Sequence, residues 1–291
     1  MHNNRQQIPA PRTKKSLLFS AIAVVVSFLL PGTEIAAEEL PLFEMGMGLG
    51  GIHQPYYTGS KQNRDYVFPV PLPVYRGKFV KSDSRGVRAE VVDEERVKLD
   101  ISVDFNLAFD SDDVDLREGM DDIDNMLQVG PSLQFLLMRG ENNKIKLHLP
   151  VRLNLGVSLN DISDDGITFS PGLSYHHRFQ FMDTPWTANL AVIPQFGTDQ
   201  YHDVYYGVAQ RFATETRAQY ETESGYSGYR LTFSLRSRDR NRLLVWFMRY
   251  DNIDGAVFED SPMVETNHGV SFGFIYSRFF YRSKTMVSVS D

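Results

Sequence analysis

Eight carboxylates crowd the fifteen residues from Asp110 to Asp124: Asp110, Asp112, Asp113, Asp115, Glu118, Asp121, Asp122 and Asp124. Such side chains bind calcium when their oxygens alternate around a turn glycine. Asp110, Asp112 and Asp115 do not follow that spacing, which leaves a solvated loop or a surface that docks a partner. On the docking reading Arg117, Gly119, Met120, Asp121, Asp122 and Asp124 form the contact patch. A short helix from Met120 would present the aspartates, which a helix N-terminus favours. The histidines offer less. His176 and His177 are adjacent, so in a strand they point to opposite faces and do not chelate together. His53, His202 and His268 fall near expected loops, and no spacing resembles a zinc site. Ser132, Ser158, Ser174 and Ser234 lie in expected strands with no motif linking them to a base. Neither a cofactor nor an enzyme is expected.

The elements that position these residues are strands. From Lys144 to Leu159 every second residue is apolar: Ile145, Leu147, Leu149, Val151, Leu153, Leu155, Val157 and Leu159. A helix scatters such a set, whereas a strand places it on one face. The same period recurs in 98–109, 128–137, 167–175, 186–196, 229–235 and 270–276. Several runs reach the ~9–11 residues with which a tilted strand crosses a bilayer. Short polar connections at 139–143, 182–185 and 238–241 read as hairpin turns, while 109–127, 213–227 and 251–267 read as longer loops.

Composition narrows the class. Arg5, Arg12, Lys14 and Lys15 precede the apolar run Ser16–Leu30, and Ile35-Ala36-Ala37 offers a cleavage site. That is the layout of an export signal, so residues 1–37 are expected to be removed and 38–291 to form one domain. Without the signal the formal charge falls from −7 to −10, which argues against nucleic acid as a partner. Cysteine is absent, so a large core or a closed hydrogen-bonded wall must supply the stability.

Twelve strands are expected, with 10–14 compatible: 42–53, 66–76, 85–92, 97–109, 128–139, 144–159, 167–180, 186–197, 203–212, 228–238, 243–250 and 268–280. The fold class is all-β, an antiparallel barrel with short turns at one end and longer loops at the other. Taken literally, this count puts 110–127 in the periplasm, and one strand more or less before it moves the segment outside. Pro69, Pro71 and Pro73 lack N–H donors and read as a rim or bulge.

Alternation does not say which face is inside. The polar faces carry charges of both signs: Lys98, Asp100 and Asp104 on one strand, Lys144, Lys146 and Arg152 on another, Arg230 and Arg236 on a third. A wide all-apolar lumen is difficult to fill, so the apolar faces are expected to meet lipid and the charges to line the lumen. In an open barrel Arg152, Arg230 and Arg236 would select anions. In a plugged one they would pair with Asp100 and Asp104.

Ordered blocks carry a resemblance. They are Gly50-Gly51, Tyr56–Ser60 and Pro69–Gly77, then Arg117–Asp124 with Val129-Gly130-Pro131, then Tyr205–Val208, Arg249–Ala256 and Ser261–Val264. Together they resemble the MipA/OmpV family of outer-membrane proteins, named for an MltA-interacting protein, with aspartate at 121 where the family usually has proline. The resemblance implies a β-barrel in the outer membrane of a Gram-negative bacterium, in contact with its lipid. It also implies a scaffold that brings a lytic transglycosylase together with a murein synthase, while other members are described as surface antigens or adhesins. A small-solute channel is the alternative. The mature chain should therefore require detergent for extraction and migrate differently on gels with and without boiling. Release by osmotic shock alone would place the apolar faces inside a soluble barrel.

Overall fold

The computed structural model describes residues 38–77, 80–83, 86–158 and 161–289. The expected export signal and Leu159 lie outside these residues. The strands are β1 (Glu38–Pro41), β2 (Phe43–Pro55), β3 (Asn63–Arg76), β4 (Val80–Asp83), β5 (Gly86–Asp93), β6 (Val97–Asn106), β7 (Asn125–Arg139) and β8 (Asn143–Val157). They continue with β9 (Ile162–Phe169), β10 (Gly172–Phe181), β11 (Thr184–Gly197), β12 (Gly225–Arg238), β13 (Arg242–Asn252), β14 (His268–Arg282) and β15 (Met286–Val289). One α-helix, α1 (Asp199–Tyr206), stands between β11 and β12.

Strands β2 to β14 form one antiparallel sheet in chain order, with β14 also laddered to β2. β8 pairs with β9 through Val151↔Phe169 and with β10 through Gly172↔His148. β9 and β10 are thus one strand interrupted at Ser170 and Pro171, and the sheet is a closed barrel of twelve staves among the described residues. The ring is thinnest between β3 and β6, where β4 meets β3 only at Tyr75 and Arg76 and the β3 edge over 63–74 has no ladder partner on that side among the described residues. β1 and β15 pair with each other as a ribbon next to the start of β2 and the end of β14.

The expected number of strands is observed, but by compensation. The run expected as strand 203–212 is α1 followed by a 3-10 turn at Gln210–Phe212. The added strand is β4, four residues long and too short to show a period. This extra strand reverses the direction of β5 to β11. The segment 107–124 therefore sits at the end away from the β1–β15 ribbon, together with 56–62, 198–224 and 253–267. Turns such as Met182-Asp183, both at positive φ as a two-residue hairpin requires, occupy the opposite end. The helix expected from Met120 is absent. Two 3-10 turns, Ser111–Asp113 and Asp115–Arg117, precede it, and Gly119 at φ 76° turns the chain away.

The exterior is apolar. Val67, Leu190, Val192, Trp246, Met248, Phe272 and Phe274 are exposed, while Asp100, Lys146, Asn154 and Asp251 are buried inside. Aromatic rings gather at the loop end of this band, where Phe169 stacks on Phe196, Phe196 meets Tyr226, and Tyr229 meets Tyr250. Such girdles mark a lipid interface. Pro69, Pro71 and Pro73 form no bulge. β3 is laddered to β2 without a break from Asn63 to Tyr75. Having no N–H, the three prolines occupy ladder positions whose nitrogens face away from β2.

One side of the lumen is closed by small residues. Gly46, Gly48 and Gly50 of β2 face inward, and rings from the neighbouring strands lie over them. A Cβ at Gly50 would come 2.8 Å from Phe68, and one at Gly46 would come 3.1 Å from Phe279. Phe68, Val70, Leu72 and Val74 of β3 thereby meet Leu243, Val245 and Phe247 of β13 in a buried apolar core inside the barrel. A Cβ at Gly48 would fall 2.1 Å from the Tyr276 carbonyl oxygen, which is main chain and does not yield. Gly48→Val should therefore cost about 1–3 kcal/mol or more. The check is the temperature at which the folded, fast-migrating gel species is lost, which should fall markedly.

Candidate functional site

The other side of the lumen is polar and holds a cavity of about 420 Å³. Its charged lining is Arg64, Arg152, Arg230 and Arg249 with Asp100 and Asp104. β6 and β8 bring Asp104 and Arg152 into an ion pair at 2.6 Å. Asp100 accepts from Gln134 Nε2 at 2.7 Å. Arg230 Nε donates to Asp251 at 2.7 Å, and Arg249 pairs with the other oxygen of Asp251 at 2.7 Å. Lys146 is buried on the inner face, whereas Lys98 and Lys144 are half-buried. Arg236 shares its inward parity with Arg230.

Sequence reasoning on single runs missed Arg249 and Asp251. Both continue the inward register of Leu243, Val245 and Phe247, where the period-two face changes from apolar to charged. It also missed the cluster at the turn end. Glu44, on the inner face shared with Gly46 and Gly48, accepts from Arg76, Arg238 and Arg282 of three other strands. Arg238 additionally lies 3.5 Å over the Phe279 ring. The parity of Glu44 was readable, but its partners across the lumen were not.

The loop end is a packed cap. Tyr57, Phe109, Val114, Ile123, Tyr206, Val208, Ile253, Phe258 and Met263 form a second buried core drawn from four loops. Tyr206 stacks on Phe258 with centroids 3.7 Å apart. The phenols keep partners: Tyr57 donates to the Met263 carbonyl at 2.8 Å and Tyr206 to the Thr58 carbonyl at 2.7 Å. Burial raises both phenol pKa values.

Arg117 belongs to this cap and is 3 % exposed. It donates to Ser111 Oγ and to the carbonyls of Tyr205 and Asp121, and burial lowers its pKa. Arg217 similarly binds the carbonyls of Leu116 and Glu118. These arginines tie 107–124 to 198–224. Gly119, Asp121, Asp122 and Asp124 are exposed and Met120 half-buried, and Asp121 pairs with Arg211 at the surface.

α1 seals the mouth through His202, which has no solvent exposure. Nδ1–H donates to the Glu223 carbonyl at 2.7 Å, so Nε2 accepts from the Ser227 hydroxyl, also at 2.7 Å. The imidazole is neutral in this arrangement.

An apolar exterior, a charged interior, short turns at one end and a folded cap at the other define an outer-membrane β-barrel. Residues 47–280 match the family described as MltA-interacting protein MipA, and the chain belongs to that family. Its place is the outer membrane of a Gram-negative bacterium. Among curated proteins no significant relative was found. Among solved structures the chain is similar to a bacterial polysaccharide outer membrane secretin, at 6 % identity and TM-score 0.43, covering 82 % of this chain and 99 % of that one. It is also similar to an outer membrane channel from Pseudomonas putida F1, at 12 % identity and TM-score 0.41 over 86 % and 99 %. A third is the outer membrane protein OprG from Pseudomonas aeruginosa, at 10 % identity and TM-score 0.26 over 85 % and 100 %. Likenesses so distant carry no inference about ligand or activity.

Burial lowers the His202 pKa below its usual 6.5. An opened cap therefore takes up the proton before the closed one does. The cap holds this stabilisation fully above about pH 6.5 and loses it as pH falls through the folded-state value. Proteolytic cleavage within 198–224 should be faster at about pH 5 than at about pH 7.5, and His202→Gln should flatten that dependence.

Proposed function

We propose that the protein is a sealed outer-membrane barrel that serves as a binding scaffold for murein enzymes rather than as a channel. The observation that carries this reading is the filling of the barrel. An apolar core occupies one side of the lumen, and a second apolar core packs at the loop mouth. In outer-membrane barrels the short turns face the periplasm and the longer loops face outward. On that orientation the face toward peptidoglycan is the turn end with the β1–β15 ribbon. The exposed surface around Gly119, Met120, Asp121, Asp122 and Asp124 then lies outside the cell. There it would serve an extracellular contact, and docking of murein enzymes falls to the turns. The family name points to a lytic transglycosylase as the partner, and a murein synthase completes the proposed assembly. The protein itself is read as non-enzymatic.

The guanidinium-lined cavity favours a second reading, a gated anion channel. Two measurements separate them. The purified barrel should show no stable conductance in planar bilayers. It should capture a purified MltA-type transglycosylase, and lose it when charges in the 94–96, 140–142 and 239–241 turns are reversed. Steady anion-selective conductance without capture would favour the channel.

A further inference from the structure

At the turn end three guanidiniums share one buried carboxylate. Glu44 is 2 % exposed. It accepts from Arg76 Nη2 at 2.6 Å, Arg238 Nη2 at 2.8 Å and Arg282 Nε at 3.0 Å. A guanidinium has five N–H donors in a rigid fork. Apart from Glu44, the acceptors are the Pro41 carbonyl for Arg76 and Asn241 Oδ1 for Arg282. Among the described residues, Nη2 of Arg282 is buried without an acceptor.

Three guanidiniums around one carboxylate repel one another, and a buried donor left unmade is destabilising. A second anion relieves both, whereas a neutral acceptor meets the donor but leaves the repulsion, and a cation relieves neither. A carboxylate suits the fork geometry, because it accepts two parallel N–H bonds from one guanidinium. The cluster can also be reached. The side chains of Arg76, Arg238 and Arg282 are 16 %, 23 % and 24 % exposed, whereas that of Glu44 is 3 % exposed. They lie at the ends of β3, β12 and β14 next to the terminal ribbon.

We propose that Arg76, Arg238 and Arg282 form a binding site for a carboxylate presented from the turn side, and that this carboxylate belongs to a peptidoglycan stem peptide. The second clause rests on the orientation and the peptidoglycan-facing role proposed above. A stem peptide carries its carboxylates on a flexible chain that can enter a partly recessed mouth. Glu44 holds the guanidiniums in place and competes with the incoming group.

The test is calorimetric titration of the purified barrel in detergent. The probes are a soluble muropeptide with free carboxylates, the same muropeptide amidated, and inorganic phosphate. The free muropeptide should bind, with the amidated form weaker by about tenfold or more. Arg282→Gln should weaken binding by a similar factor, and Arg282→Lys, which keeps the charge but loses the fork, by less. Glu44→Gln removes the competitor. It should bind the free muropeptide more tightly, and the ligand should raise the temperature at which its fast-migrating gel species is lost. Equal binding of the amidated form, no binding to the wild type, or a Glu44→Gln barrel that neither binds nor is rescued would reduce the cluster to a structural lock. Phosphate binding without muropeptide binding would overturn the stem-peptide assignment. Enzyme capture is scored separately. Capture without muropeptide binding sinks this site and leaves the scaffold, and muropeptide binding without capture does the reverse.

Discussion

The rest of this barrel depends on main-chain hydrogen bonds made between strands rather than to water. In hydrocarbon an unmet N–H or C=O costs several kcal/mol, so the sheet must close on itself. Closure falls on β8, which is laddered to β7 on one side and to both β9 and β10 on the other. Pro171 interrupts that last stave, yet the two halves keep the same neighbour and the wall continues past the break. Because the wall is closed, side-chain parity divides outside from inside along every strand. The apolar set meets lipid, and the polar set has nowhere to go but the lumen.

The lumen then has to accommodate what parity sends there, and it does so in two ways. On the side of β2 and β14, glycines and serines allow the neighbouring strands to bring large apolar residues together across them. On the other side, charges are matched between strands and along one of them, Arg249 and Asp251 both belonging to β13. Asp104 meets Arg152, and Asp251 meets both Arg230 and Arg249. A buried charge left alone is costly, so these pairs set one register among many that the apolar pattern would tolerate. The cap follows the same economy, with Arg117 and Arg217 satisfying loop carbonyls that lie away from water.

Much of this was legible along the chain. The run from Ile145 to Val157, with its outward Val151 and Leu153, reads correctly at period two, as does the outward set Val270, Phe272, Phe274 and Tyr276. The inward charges could be enumerated by parity. Their partners could not, since Glu44 and Arg238 are separated by 194 positions and meet only across a closed barrel. Residues 203–212 deceived for a related reason. Tyr205 and Tyr206 are apolar because they pack in a cap, and a cap needs no period. β4 was invisible because four residues hold too few alternations to reveal a strand.

The sequence by itself determined the material of the wall: which residues share one face, which share the other, and that no disulfide supports them. Those are local properties, since neighbouring side chains of a strand point to opposite faces whatever the strand pairs with. Tertiary structure alone decided the end at which Asp110–Asp124 sits, the filling of the lumen and the charge pairs that cross it, such as Glu44 with Arg238. Each of these depends on how many staves precede a residue and on which strand closes the ring. Those are properties of the whole circuit, and no window of sequence contains them.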